Sequence, residues 1–558
     1  MAVLKLILTI IKLGCKVPSL KASRLGIVKI RQARNEKGWG WSINDDDTCF
    51  VEASKIVEPE KNWQPGGPYA DGVSEGTWKR FLAGRQAISA AAFKAFCQIL
   101  GLNWQEVVDR RTQLDHNTRT DWGDAIDISV FYGRSAELEQ LEQWITKEDC
   151  RLVALFGMGG IGKTALALKL AEQVKEHFEY LIWRSLRNAP PLQEFISDMI
   201  EFLSNGRETD LSESLDSGVS RLLGHLREHR CLLLLDDFET VMRGGELAGQ
   251  YRGGYQGYGK LIQRVGEERH QSCLVLTTRE KPTEISSLAG TTLPVRELKL
   301  RGLGYEDATK ILQTKGFSNL KRGSEELIQL YRGNPSALKI VASTIKEVFN
   351  GDIYQFIDQS TLVVNDVLNN LLSEQFQRLS ALEVEIIYWL ALENYPISIP
   401  ELKANMQFSG VSSSQLIVAL TSLQRRSLLD KKSIQEVEEV VFTLQPVVMK
   451  YLTNQFIEQV CKEIRTVVKT KSLVKLLLLR SHALLNEQED DELKAIQIRR
   501  ILEPVIEKLY VKLKSADLVV QLKEILSMLK DKSPPIVGYA QINILNLLNM
   551  TENKLQQP

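Results

Sequence analysis

The chain has 558 residues, and its 70 Lys and Arg side chains are balanced by 70 Asp and Glu side chains. This length is too great for one hydrophobic core and predicts several domains of about 100–200 residues each. The balanced charge excludes a strong overall attraction to nucleic acids or membranes. Seven dispersed cysteines without a CxxC pair predict reduced thiols rather than a disulfide framework or a zinc site.

The first residues do not predict a membrane-spanning helix. The apolar run at residues 4–13 is interrupted by Lys5 and Lys12, and it is shorter than the roughly 20 residues that a spanning helix needs. A signal peptide is an alternative, although no clear small-residue cleavage pattern follows, and a start codon placed too far upstream is another. We treat residues 1–19 as an N-terminal extension and expect a cytoplasmic protein without a membrane partner.

Residues 20–115 predict an N-terminal module that consists mainly of helices. Residues 20–37 have a helical pattern, whereas residues 38–72 are rich in Gly, Asp, Trp and Pro and predict a loop. A polar link follows at residues 116–130.

Two short helices are predicted near the end of this module. Ser74 or Thr77 can cap the first helix, Gly84 can end it, and Ser89 can cap the second. This spacing resembles the helix-turn-helix of phage-repressor-type domains, in which a recognition helix enters the major groove of DNA.

The helix-turn-helix-like module has two interpretations. In a DNA-binding module, the segment around Thr77, Trp78, Lys79 and Arg80 would enter the groove, and residues 1–120 carry 18 basic against 12 acidic side chains. In a protein-binding adaptor, Trp78 belongs to the core while Lys79 and Arg80 form a solvated face. Helix-turn-helix geometry alone does not decide between a DNA partner and a protein partner.

A phosphate-binding loop is the most specific motif of the chain. Residues 157–164 read GMGGIGKT, follow an apolar run at 152–156 and precede a helical pattern, so that strand, loop and helix occur in the order that the motif requires. The alternative is a glycine-rich turn without a ligand. In a phosphate site, backbone N–H groups surround the phosphate oxygens at a helix N-terminus. The predicted nucleotide-binding residues are Gly157, Met158, Gly159, Gly160, Ile161, Gly162, Lys163, Thr164 and Ala165.

Within this loop, Lys163 would reach the β and γ phosphates and Thr164 would bind Mg²⁺ through its hydroxyl. A second apolar run at 231–235 ends in Asp236 and Asp237, as a Walker B strand does. Asp236 would hold Mg²⁺ through water, and Asp237 would polarise the attacking water.

Two later segments complete the predicted site. The strand CLVLTTRE at 273–280 ends with Arg279, whose charge can sense a γ-phosphate at the edge of the sheet. In the turn GNPSAL, Ser336 is predicted to open a helix and Pro335 to lie rigidly against the adenine ring.

The ordered motifs FYGR, GMGGIGKT, YLIWRSLR, LLLLDDFE, LTTRE and GNPSAL resemble the NB-ARC type of STAND NTPase. This class of nucleotide-driven signalling switches is related to plant resistance proteins and apoptosome scaffolds. The resemblance covers residues from about 130 to 455, and the preceding module is similar to the helix-turn-helix module of many cyanobacterial members. It implies an α/β P-loop NTPase core with a parallel sheet, flanked by all-α helix-turn-helix, helical and winged-helix domains. The implied domains are the NTPase at 131–300, the helical domain at 301–375, the winged helix at 376–455 and a C-terminal helical region at 456–558.

The resemblance also implies roles for single residues. Lys163, Asp236, Asp237 and Arg279 would take the catalytic roles named above. Residues placed beside the base or adenine are Tyr132, Gly133, Arg134 and Pro335.

The sequence departs from this family in two places. The family usually has a Met-His-Asp-like triplet whose His reads the diphosphate, and Leu444, Gln445 and Pro446 stand there in this chain. Gln445 retains a hydrogen-bond donor without the charge of His, which weakens the expectation of an ADP-locked resting state. No 40-residue or five-residue period follows residue 453, so the WD-type or pentapeptide sensor of many relatives is expected to be truncated or supplied by a partner.

The predicted function is therefore a switch that binds ATP or ADP with Mg²⁺, hydrolyses ATP slowly and forms a homo-oligomer in the ATP state. One alternative is a transcription regulator in which the NTPase gates DNA binding by the N-terminal module. A turnover enzyme or motor is another, although no second substrate site is evident. A truncated, inactive remnant is a third.

Overall fold

The chain divides into two compact units, Met1–Thr118 and Arg119–Pro558. The N-terminal extension predicted at residues 1–19 lies almost entirely outside the described residues. The computed structural model describes residues 19–39, 48–84, 86–108, 118–208, 214–317, 323–358, 366–393, 395–434, 439–487, 490–512, 515–530 and 532–556.

The first unit is a small helical domain with one short pair of strands. Its elements are β1 (Ser19–Leu20), α1 (Arg24–Glu36), α2 (Thr48–Val57), α3 (Glu75–Ala83), β2 (Ile88–Ser89), α4 (Ala90–Ile99) and α5 (Trp104–Val107). Strands β1 and β2 pair in antiparallel fashion.

The predicted helix boundaries around α3 and α4 are confirmed. The Ser74 hydroxyl accepts the backbone N–H of Thr77 at the start of α3, and Gly84 ends this helix with a left-handed φ of 64°. Ser89 accepts the N–H of Ala92 and so caps α4. These local side-chain caps satisfy backbone groups that the helices leave open, which is why the sequence alone reveals them.

The prediction of a loop throughout residues 38–72 is wrong, because residues 48–57 form helix α2. This helix buries Cys49, Phe50 and Ala53 in the core of the first unit, where it packs against α4. Tertiary burial of these apolar side chains outweighs the loop-like composition around them.

The second unit is built around a six-stranded parallel sheet, as predicted for a P-loop NTPase core. Its strands are β3 (Arg119–Asp121), β4 (Leu152–Phe156), β5 (Tyr180–Ser185), β6 (Cys231–Asp236), β7 (Cys273–Thr278) and β8 (Val295–Lys299). The strand order is β3-β5-β6-β7-β4-β8, and every neighbouring pair is parallel. The polar stretch predicted as a link contributes the edge strand β3.

Helices cover both faces of this sheet. Alternate residues of β4 point to opposite sides: Val153 and Leu155 join one apolar cluster, and Leu152 and Ala154 join the other. Because both faces are buried, the inner strands β4, β6 and β7 appear in the sequence as mainly apolar runs. The first face carries α6 (Ser135–Thr146) and α7 (Lys163–Val174), and the second carries α8 (Leu192–Leu203), α9 (Leu215–Glu228) and α10 (Gln256–Glu267).

Helix α11 (Thr283–Leu288) lies between strands β7 and β8, and a helical segment follows β8. The helices of this segment are α12 (Tyr305–Thr314), α13 (Ser324–Leu330), α14 (Pro335–Phe349), α15 (Ile353–Asp358) and α16 (Asp366–Phe376).

The next elements have the order of a winged helix, with three helices and a three-stranded antiparallel sheet. They are α17 (Ala381–Glu393), β9 (Ile397–Ser398), α18 (Ile399–Asn405), α19 (Ser413–Arg425), β10 (Asp430–Ile434) and β11 (Glu439–Thr443). Their apolar side chains share one core cluster with α12 to α15.

The remainder of the chain, where it is described, is helical around a separate apolar cluster. Its helices are α20 (Pro446–Thr470), α21 (Leu478–Ser481), α22 (Asp491–Gln497), α23 (Glu503–Lys512), α24 (Ser515–Leu529), α25 (Pro534–Val537) and α26 (Ala540–Gln556). Among the described helices, none is both long enough and apolar enough to cross a bilayer.

The six cysteines in the described ranges are all buried, and no disulfide joins them there: Cys49, Cys97, Cys150, Cys231, Cys273 and Cys461. That the thiols are reduced stays a prediction.

Candidate nucleotide-binding site

The predicted phosphate-binding loop connects β4 to α7, whose first residue is Lys163. The Lys163 ammonium group donates to the carbonyl oxygens of Gly157 at 3.0 Å and Met158 at 3.2 Å. The residue is only 8% exposed, and this burial lowers the pKa of its ammonium group, although the nearby Glu239 carboxylate raises it. The cation is thus held against its own loop, where it can turn towards phosphate oxygens.

The two predicted Mg²⁺ ligands lie in direct contact. The Thr164 hydroxyl donates to Asp236 Oδ1 at 2.8 Å, and the Thr277 hydroxyl donates to the same oxygen. Burial, together with the charge of Asp237, raises the pKa of Asp236 to about 6. A hydroxyl and a carboxylate at the start of a phosphate-binding helix are oxygen donors of the kind that Mg²⁺ prefers.

Asp237 occupies a left-handed backbone position, with φ of 56°, directly after β6. Burial raises the pKa of its carboxyl group, and the Glu239 charge acts in the same direction. Its Oδ2 atom lies 3.4 Å from Nε of Arg187, whose side chain is 79% exposed. Arg187 follows β5 at the end of the motif YLIWRSLR, and the sequence alone did not predict a role for this arginine.

Arg279 is the predicted γ-phosphate sensor, and its side chain forms ion pairs with two acidic residues. Its Nε atom lies 3.1 Å from Glu239 Oε1, and its backbone N–H donates to Glu239 Oε2 at 2.9 Å. Its Nη1 atom donates to Glu374 of α16 at 3.2 Å. The sequence analysis did not predict either acid as a partner of Arg279. Glu239 is the last residue of the motif LLLLDDFE but was given no role, and no local sequence pattern indicates a role for Glu374.

The turn GNP lies directly on the phosphate-binding loop. Asn334 donates from Nδ2 to the Gly159 carbonyl at 3.1 Å, and the Ser336 N–H donates to the Gly160 carbonyl at 3.3 Å. Gly160 has a φ of 74°, and a Cβ there would lie 2.7 Å from Cβ of Ser336. This close approach requires glycine.

Helix α14 begins at Pro335, one residue before the predicted start, because Asn334 is its cap. The Asn334 Oδ1 atom accepts the N–H groups of Ser336 and Ala337. Sequence reasoning overlooked Asn334, although Asn before Pro is a typical helix start. A contact between Pro335 and adenine stays a prediction.

The FYGR segment borders the loop from the other side. Arg134 is buried and donates from Nη2 to the carbonyls of Ile161 at 3.1 Å and Arg301 at 2.6 Å. Gly133 has a φ of 71°, and a side chain there would collide with the Asp307 carboxylate. The half-buried Tyr132 packs against the core of the helical segment. Contacts of these residues with the base stay predictions.

Gln445 is half-buried and directly precedes α20, whose first turn it does not cap with its side chain. Among the described residues, no hydrogen bond joins it to the phosphate-binding loop. A role of Gln445 at the diphosphate therefore stays a prediction.

In the N-terminal unit, the side chains singled out for DNA contact have two different environments. Trp78 is fully buried, and its ring centroid lies 5.1 Å from that of Phe96. Lys79 and Arg80 are exposed, and Lys79 forms an ion pair of 2.9 Å with Glu75 on the same helix. The placement of Trp78 is that of a core residue.

The comparisons with known proteins find a family match over the phosphate-binding loop, the Asp236 segment and Arg279. Residues 134–322 match the NB-ARC domain. A WD repeat-containing protein of Nostoc sp. is 43% identical over 588 aligned residues, which cover 96% of this chain but 46% of that protein. A disease resistance protein of Arabidopsis thaliana is 26% identical over 207 residues, covering 35% of this chain and 23% of that protein. The chain thus spans less than half the length of these relatives.

Two solved structures are similar to parts of the chain. A Walker-type ATPase of Pyrococcus abyssi has a TM-score of 0.39 and 16% identity, and the match covers 61% of this chain and 99% of that one. A STAND protein with a tetratricopeptide repeat sensor from Pyrococcus horikoshii has a TM-score of 0.31 and 17% identity, with coverage of 78% and 63%.

Proposed function

From an NB-ARC domain match at residues 134–322 and a complete phosphate-binding loop within it, we propose that this chain is a nucleotide-dependent signalling switch that binds ATP or ADP with Mg²⁺. One observation carries the proposal: the phosphate-binding loop is hydrogen-bonded to the first turn of α14, through Asn334 to Gly159 and through Ser336 to Gly160. A phosphate bound to this loop therefore acts on the helical segment without an intermediary.

The chemistry proposed for this site divides among four residues. Thr164 and Asp236 hold Mg²⁺, and Asp237 polarises a water molecule for attack on the γ-phosphate. Arg279 contacts the γ-phosphate, an interaction that ADP cannot offer. In the present arrangement the two carboxylates of Glu239 and Glu374 neutralise Arg279, and the γ-phosphate would compete with them.

We propose that slow hydrolysis returns the switch to the ADP state. The nucleotide can shift the protein between two forms only by binding them with different affinities. Contact of Arg279 with the γ-phosphate in one form alone supplies such a difference.

ADP binding by the full chain tests the site directly, measured by isothermal titration calorimetry with Mg²⁺. Lys163→Ala should abolish binding because it removes the only lysine of the loop. Lys169→Ala is the matched control, since Lys169 lies on the same helix and, in the part of the chain that the structure describes, forms an ion pair of 3.1 Å with the surface residue Glu172. The site assignment is refuted if Lys163→Ala binds ADP as tightly as the control does.

Self-association in the ATP state is a separate element of the proposal. The mass of the protein in solution, measured first with ADP and then with a non-hydrolysable ATP analogue and Mg²⁺, should change from monomer to a defined oligomer. A monomer under both conditions would remove self-association from the proposed mechanism.

A second candidate function is a transcription regulator whose N-terminal unit binds DNA. The exposed side chains of Lys79 and Arg80 on α3 favour it. Replacing both with Gln should weaken binding to DNA and reduce its salt dependence, measured by gel shift at several salt concentrations. An unchanged gel shift would favour a protein partner for this unit.

A further inference from the structure

Four charged side chains form a cluster between the predicted NTPase and winged-helix domains, which we call the latch cluster: Glu280, Arg378, Glu383 and Arg426. Three of them are buried, whereas the Arg378 side chain is half-buried, with 22% of its surface exposed. At its centre, Glu280 Oε2 accepts from Arg426 Nη1 at 2.7 Å and from Arg378 Nη2 at 2.9 Å. The side chains of Glu280 and Arg426 are each only 2% exposed. Glu280 is the second residue after β7 of the NTPase sheet, and Arg426 directly follows α19 of the winged helix.

Further hydrogen bonds hold Arg426 and Glu383 in the latch cluster. Arg426 Nε lies 3.1 Å from Glu383 Oε1, and its Nη2 donates to the Glu246 carbonyl at 2.5 Å. The Ser422 hydroxyl donates to the same Glu383 oxygen at 2.6 Å. Two acids and two bases thus balance in charge, which is the condition under which ionised groups persist in a protein interior.

Backbone groups extend this contact on both sides of the cluster. The Ala248 N–H donates to the Ser422 hydroxyl at 2.6 Å. The N–H of Lys281 donates to the carbonyl of Arg425 at 3.0 Å. The first bond joins the segment after the Walker B strand to α19. The second joins the segment after β7 to the last residue of α19.

The latch cluster is also connected to the nucleotide site by the backbone, because one residue of each is adjacent in the sequence. Arg279, which lies against Glu239 beside the phosphate-binding loop, is the residue before Glu280. Two successive side chains therefore face different partners, one at the nucleotide site and the other at the winged helix. A displacement of Arg279 towards a γ-phosphate would move the backbone that carries Glu280.

We propose that the latch cluster holds the winged helix closed on the NTPase domain and that the nucleotide releases it through Arg279. The link to the nucleotide rests on the proposed function, whereas the closed contact does not. Separation of the two domains hydrates all four charges together. Loss of a single partner, by contrast, leaves opposite charges buried without compensation and penalises only the closed form. The cluster therefore opens as a unit.

Hydrogen exchange of the nucleotide-free protein tests the closed contact. In Arg426→Gln, the amides of Ala248 and Lys281 should exchange on the order of 100-fold faster, because their acceptors separate from them when the domains part. Glu280→Gln, which keeps the shape of the side chain, should accelerate the same amides to a smaller extent. Protection at wild-type level in a folded Arg426→Gln protein would overturn the latch.

The matched control is Arg264→Gln, which removes an ion pair of 2.6 Å with Glu268 inside the NTPase domain. It should leave the Ala248 and Lys281 amides as protected as in wild type. Slow exchange of the β6 amides in every variant shows that the sheet remains folded. If the control accelerates the two amides as much as Arg426→Gln does, the effect is general destabilisation and the latch is refuted.

Release of a fluorescent ADP analogue tests the link to the nucleotide. Arg426→Gln should release the analogue at least several-fold faster than wild type and the control. Faster amide exchange with unchanged release would overturn the coupling while supporting the closed contact. A wild-type protein that binds no ADP analogue would refute the proposed function, and the exchange experiment would still judge the contact, because it uses no nucleotide.

Discussion

The substitution Asn334→Ala tests how much the hydrogen bonds between the phosphate-binding loop and α14 contribute to the stability of the protein. The Asn334 side chain serves two elements together. Its Oδ1 atom accepts the N–H groups of Ser336 and Ala337 at 3.1 and 3.2 Å, and its Nδ2 atom donates to the Gly159 carbonyl at 3.1 Å. The residue is 7% exposed, so water cannot easily replace these partners.

The size of the effect follows from these contacts. Loss of a helix cap costs about 1 kcal/mol of stability. Loss of a buried hydrogen bond that leaves the Gly159 carbonyl without this donor costs a further 1–2 kcal/mol or so. We therefore expect Asn334→Ala to lower the free energy of unfolding by about 2–3 kcal/mol.

Urea unfolding followed by tryptophan fluorescence measures this difference. Ser412→Ala is the matched control, because Ser412 caps α19 by accepting the N–H of Gln415 but is exposed and makes no contact with the phosphate-binding loop in its described hydrogen bonds. The control should lose only about 1 kcal/mol. If Asn334→Ala loses no more than Ser412→Ala, the bond to Gly159 contributes nothing and the tie between loop and helix is refuted.

Three further predictions concern charge and burial. Because burial raises the pKa of Asp236 to about 6, its carboxyl group is protonated below that pH and must lose a proton to bind Mg²⁺. Mg²⁺ affinity of the ADP complex should therefore fall by up to about tenfold per pH unit below pH 6, and equal affinities at pH 5 and pH 7 in calorimetry would contradict this. Glu239→Gln should raise the affinity for ATP relative to ADP, measured by competition, since it frees Arg279 from one carboxylate; an unchanged ratio would speak against Arg279 as the sensor. Burial raises the pKa of Cys97 to about 12 and of Cys150 to about 11, so iodoacetamide at pH 8 should modify these thiols only in urea, as mapped by peptide mass; rapid labelling of the native protein would contradict their burial.

Much of the candidate site was predictable from the sequence, because its signals are local. The phosphate-binding loop needs a buried strand, glycines and a helix start within about a dozen residues, and these are visible as composition and period. The same holds for Asp236 at the end of an apolar run. The pairing of Thr164 with Asp236 also followed, since parallel strands present their carboxyl ends at one edge of the sheet.

The partners of Arg279 were not predictable in this way. Glu239 lies 40 residues before it and Glu374 lies 95 residues after it, and no period or motif connects such positions. Helix α2 was missed for a related reason: the flanking Gly, Asp and Pro residues predict a loop, and only contact with α4 makes burial of Cys49 and Phe50 favourable.

The sequence by itself determined the elements whose stability is local: the strand-loop-helix of the nucleotide site, the caps at Ser74 and Ser89, and the apolar runs that form strands β4, β6 and β7. Only the tertiary structure decided which charges meet. Arg426 reaches Glu280 across 146 residues, and both side chains lose their hydration only where the segments that carry them pack together. An ion pair of this kind depends on folding of the whole unit, and a sequence shows only that both charges exist.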